Sequence, residues 1–193
     1  MGLKDESPET HGLFRDAPAN KEMILFSLGN EVFVAFCLSL AAIAVPFAFH
    51  SNALPNQLFV GTFVNALLAS SALYLPFRKS LPVILLPSVA AVASGIVFGG
   101  FSALVAMLVP AIWLGNGVFV LLIKRLKILG GTNYGLAVLV SSFCKAAIIG
   151  LFTFVLFILG LVPQALLVPM SVVQFATAMM GGLLAGTTLL LKK

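Results

Sequence analysis

The chain has 193 residues, 61% of them hydrophobic and 9% charged, with a mean hydropathy of +1.14. Soluble domains carry about 25% charged residues, so the composition excludes a water-soluble globule and implies an all-α integral membrane protein folded as one helical bundle. The net charge of +5 is no nucleic-acid signature: residues 1–31 hold all six acids, and every charge beyond Glu31 is basic.

Residues 1–20 are polar, with Pro8, Gly12 and Pro18, and lack the basic start and short apolar core of a secretory signal. They read as a cytoplasmic tail, the larger part of an acidic segment 1–31. Asn20 is placed to cap a short helix with Glu22 in its first turn. That helix lies at the membrane interface or extends the first span.

A transmembrane domain, residues 32–193, then holds six apolar runs, each near the ~20 residues a bilayer crossing needs. The first is Val32–Phe49, with Pro46 in its last turn and an uncharged connection after it. The second, Leu58–Leu75, ends at Pro76, before Arg78 and Lys79. The third runs from Pro82 to about Phe98. Gly99-Gly100 turns it into the fourth, Phe101–Ile123, broken by Pro110 and by Gly115-Asn116-Gly117. Lys124-Arg125-Leu126-Lys127 makes a basic connection. The fifth span lies within Leu136–Val162 and contains Lys145; Pro163 and Pro169 bracket a short loop, and the sixth, Met170–Leu191, ends in Lys192-Lys193.

Six spans put Arg78, Lys79, Lys124, Arg125, Lys127, Lys192 and Lys193 on one side and leave the opposite loops uncharged. Cytoplasmic loops accumulate Lys and Arg. Both termini are therefore expected in the cytoplasm, with the protein in the cell membrane. Cys37 and Cys144 both fall in apolar runs, which reads as two buried, reduced thiols, and no metal-ligand spacing is present.

Lys145 is the only charge deep in a span. Such a group costs roughly 3 kcal/mol or more to insert and marks a functional site by default. No acid follows Glu31 in the sequence, so Lys145 either faces a pocket, snorkels toward the cytoplasm or pairs with Glu31. Gln57, Gly61 and Asn65 recur every four residues and share a helix face, with Asn65 roughly 12 Å below the outer surface. Pro110, Trp113 and Asn116 form a stripe at three-residue steps, and Gln174 and Thr177 lie in the outer half of the sixth span. Amides from three spans thus lie above a lysine, as in a cavity open to the outside. The bland counterpart is that such amides only bond neighbouring helices. Trp113 has a packing or a stacking role, Tyr134 reads as an interfacial anchor, and His50 and Asn52 read as loop residues, solvated or part of a lid.

Small residues repeat at four-residue spacing: Ala91, Gly95 and Gly99; Gly182 and Gly186; Ala35 and Ser39. They allow close helix approach, within the bundle or against a partner. No phosphate-binding loop, zinc-protease or serine-hydrolase motif appears, and no cofactor is called for. Ser141 or Ser142 with Lys145 is the sole candidate dyad for an intramembrane hydrolase.

The six-span layout, the Pro-ended first span followed by His50, Gln57-Leu58-Phe59-Val60-Gly61, Pro87-Ser88 through Gly99, and Trp113-Leu114-Gly115-Asn116 together resemble the substrate-binding S components of energy-coupling factor transporters, which import vitamins and other micronutrients in prokaryotes. The resemblance covers about residues 32–191 and implies a non-enzymatic subunit with a pocket near the outer face. A transmembrane coupling subunit and two ATPases would supply energy, contacting a first-span face that includes Ala35, Ser39 and Ala42. Gln57, Asn65, Trp113, Asn116, Lys145 and Gln174 are then the expected contacts for a small neutral or anionic ligand. A structural subunit anchoring a larger complex is the alternative from another class.

Overall fold

A computed structural model describes residues 21–48, 56–95 and 99–190. The expectations for the tail, the Asn20 cap, His50, Asn52 and the terminal lysines fall outside them. The described chain is helical, with short turns and no strand among the described residues. It comprises α1 (Lys21–Ala48), α2 (Asn56–Tyr74), α3 (Phe77–Ser94), the short α4 (Ser102–Ala106), α5 (Val109–Ile123), α6 (Tyr134–Ile158) and α7 (Gln174–Leu190). Six helices are long and apolar enough to cross a membrane, which makes this a multi-pass membrane protein.

Several boundaries differ from the sequence expectation for physical reasons. The segment from Lys21 continues into the first span as one helix. α3 begins at Phe77, five residues before Pro82, because Pro76 with φ −57° sets up the helix start and the helix runs through both Pro82 and Pro87. Gly95, at φ 66°, ends α3 in the left-handed conformation that glycine adopts freely. The fourth span breaks at Met107-Leu108, just ahead of Pro110, and not at Gly115-Asn116-Gly117. Those three stay inside α5, since backbone groups at membrane depth must be satisfied within the helix. The basic connection is itself helical: Lys124–Leu129 continues α5 as a wider π-turn.

α2 packs on α7, α5 on α6, α1 on α3, and α6 on α7. Glycine permits the tightest crossing. A Cβ added at Gly181 of α7 would lie 2.7 Å from the backbone nitrogen of Ala66 on α2. Two polar ties close one end of the bundle. The Lys124 ammonium donates to the carbonyls of Leu75 (2.6 Å) and Ala72 (3.3 Å), covering the free C-terminal end of α2. Lys79 pairs with Glu31 at 2.7 Å. The same end holds the Tyr134 hydroxyl, which donates to Gly182 O (2.7 Å), so Tyr134 ties α6 to α7.

α1 is peripheral, with Phe33, Phe36 and Leu40 exposed. Its small residues divide: Ala42 is fully buried in the core, while Ala35 and Ser39 are half-buried and joined by a bond from Ser39 Oγ to Ala35 O (2.6 Å). Ala42 is therefore an internal packing residue of the bundle, not part of an outward face. Both cysteines are free, but Cys37 is exposed on α1 and only Cys144 is partly covered.

Candidate functional site

α2, α3, α5, α6 and α7, with Val105 of α4, line a partly open cavity of about 70 Å³. Gln57, Asn65, Asn116, Lys145 and Gln174 all line it, joined by Gly61, Ser88 and Thr177. Five of the six residues singled out in the sequence thus share one cavity. Trp113 is the exception. Its indole N–H donates to Leu85 O (3.0 Å) and Ser88 Oγ (2.8 Å), which fastens α5 to α3 beside the cavity. The cause is helical drift: a three-residue step falls about 60° short of a full turn, so a stripe through 110, 113 and 116 does not hold one face. The inward face of α5 is instead Ile112, Asn116 and Phe119, at i, i+4 and i+7, all buried while Pro110 is exposed.

Lys145 lies on the inward face of α6 with Ser141, Ser142 and Ile149 and is only 2% exposed. Gly115 makes this possible, since a Cβ there would stand 3.3 Å from Lys145 Cγ and 2.9 Å from Ile149 Cγ1. The ammonium neither snorkels nor meets Glu31, whose carboxylate is held by Lys79. It donates to Asn65 Oδ1 at 2.5 Å and stands 5.5 Å from the centre of the Phe119 ring, within cation–π range. An ammonium has three donors; one is used.

Asn65 is held from the other side. Its Nδ2 donates to Gly61 O (2.8 Å) and to Thr177 Oγ1 (3.2 Å), and that hydroxyl donates to Gln174 O (3.2 Å). A chain of bonds therefore runs from α6 through α2 to α7. Gln57 Nε2 donates to Pro169 O (3.1 Å), where the chain makes a π-turn, Pro169–Val173, before α7. Asn116 Nδ2 donates to Ile84 O (3.1 Å), while its Oδ1 is buried with no partner among the described residues.

The candidate Ser–Lys dyad is not assembled by hydrogen bonds: Ser141 Oγ donates to Ala137 O (2.6 Å) and the Ser142 hydroxyl is buried without a partner among the described residues. Among the described residues, no three His, Cys, Asp or Glu side chains gather in a metal-binding group.

Phe119 and Thr177 are among the contributors that the site assignment from sequence left out, with Gly61 and Ser88. Thr177 follows Gln174 by three residues and Phe119 follows Asn116 by three, so helical spacing from an assigned amide was the available signal. The site can bind an electron-rich group at the lysine and a donor at Asn116, in a space walled otherwise by apolar side chains such as Val60, Val105 and Ile112.

The chain matches no family model, no curated protein and no solved structure.

Proposed function

We propose that this protein is the membrane-embedded substrate-binding subunit of a micronutrient importer, of the energy-coupling factor kind, and that it takes a small neutral or anionic ligand from the outer side. The observation that carries the reading is Lys145: a buried ammonium with one acceptor among the described residues, in a cavity shared with amides from three other helices. A buried cation without an acid is costly, and a ligand that supplies acceptors or negative charge offsets that cost. A structural subunit has no need of such a group.

The cavity is well below the roughly 300–1,000 Å³ of sites that enclose drug-sized molecules. In this reading it grips the polar end of the ligand, and the remainder extends past Gln57 and Gln174. Energy comes from outside the chain, through a coupling subunit and two ATPases, and both termini face the cytoplasm. The half-buried Ala35 and Ser39 of α1 remain the candidate contact for the coupling subunit, with Ala42 packing behind them.

The test is mild solubilisation from the native membrane, followed by mass spectrometry of both co-purified chains and small molecules. The reading expects a released small molecule together with a membrane subunit and ATPases. A stoichiometric protein partner with no small molecule would replace it with the structural-subunit reading.

A further inference from the structure

The orientation of the two buried amides is fixed by chemistry, not by choice. Backbone carbonyls only accept. Asn65 must therefore turn its NH2 to Gly61 O, which leaves Oδ1 for the Lys145 ammonium. Asn116 must turn its NH2 to Ile84 O, which leaves Oδ1 as the spare atom. Asn116 is 2% exposed. A buried acceptor left without a donor is costly, and Asn116 is one of the residues that line the cavity.

The walls are thus unequal. At one place the ammonium has donors to spare; at another, Asn116 Oδ1 lacks a donor; nearer the surface the Gln174 amide, which has no side-chain hydrogen bond within the described residues, can serve either way. Among the described residues, no carboxylate lines the cavity. Resting on the binding-subunit reading, we infer that the ligand's gripped end is a compact anionic group with its own adjacent O–H or N–H donor, as in a hydroxycarboxylate or an amide-bearing acid. The anion meets Lys145 and the donor meets Asn116 Oδ1. Ammonium compounds are excluded, because they would bring a second cation beside Lys145 with no acid to balance either.

Three probes of similar size separate the parts of this inference: glycolate, acetate and ethanolammonium, titrated into the full chain in lipid nanodiscs and followed by ligand-observed NMR. Glycolate is expected to bind about tenfold more tightly than acetate, the worth of one net hydrogen bond, and ethanolammonium not at all. Asn116→Leu should erase the advantage of glycolate and keep acetate binding; Asn116→Ala reads the same contact should the leucine variant not fold. Lys145→Met should abolish both anions. Equal binding of glycolate and acetate, binding of ethanolammonium, or a glycolate advantage surviving in both Asn116 variants would overturn the inference. A neutral molecule recovered from the purified chain, with no response to either anion, would also overturn it and leave the binding-subunit reading standing; a cationic one would overturn both. No recovered molecule and no response to any probe would remove both.

Discussion

Lys145 and Asn65 are mutually dependent. Among the described residues Asn65 Oδ1 is the ammonium's one hydrogen-bond acceptor, and the asparagine is itself held by Gly61 O and Thr177. Removing one partner leaves the other buried and unmet, whereas replacing both by apolar groups can be nearly neutral. Asn65→Leu is therefore expected to destabilise the bundle by about 1–3 kcal/mol, read as a lower unfolding temperature in detergent. Adding Lys145→Met should recover most of that loss; a double variant as unstable as the sum of the singles would contradict the coupling. Much of this site is legible in the sequence because polar atoms stand out against an apolar background. Lys145 needs no alignment to notice, and the four-residue spacing of Gln57, Gly61 and Asn65 places the asparagine inward. The partnership itself is not legible, since the two residues lie 80 positions apart. Phe119 escapes notice because one phenylalanine among 17 carries no contrast.

At the scale of the elements, helix existence follows from apolar run length, while ends and breaks depend on how neighbours meet. Gly115-Asn116-Gly117 reads as a break, yet Gly115 is small because Ile149 and the Lys145 stem pass against it. Gly181 has the same function at the crossing of α7 with α2, where the opposing atoms include backbone, which cannot swing aside. Gly181→Ala should cost about 1–3 kcal/mol of stability through overpacking, and it presses directly on Asn65, whose Cβ stands 2.7 Å from the added methyl position. An unchanged unfolding temperature in this variant would contradict the packing described. Lys124 gives a second check. Its two bonds to the last carbonyls of α2 predict that Lys124→Met lowers the unfolding temperature, while Arg125→Met, at an exposed neighbour, leaves it unchanged.

For the whole molecule, alternation of six spans brings Glu31, Lys79, Lys124 and the start of α6 to one end of the bundle, the end that the excess of Lys and Arg in its connections leads one to expect in the cytoplasm. With Cys37 and Cys144 replaced by serine, a cysteine at Lys127 should react with a membrane-impermeant maleimide only after permeabilisation, and one at Gln164 in intact cells; the opposite pattern would invert the topology. Orientation matters because it decides whether the Gln57 and Gln174 side of the cavity meets the medium or the cell interior. Ligand binding by Lys145 is tested most directly by comparing the small molecules released on denaturing the wild-type chain and Lys145→Met, purified identically and checked for equal folding. A stoichiometric anionic compound is expected from the wild type and at least a tenfold loss in the variant, the effect of removing a charge-assisted hydrogen bond of about 1.5–3 kcal/mol. Equal recovery from both proteins would contradict it.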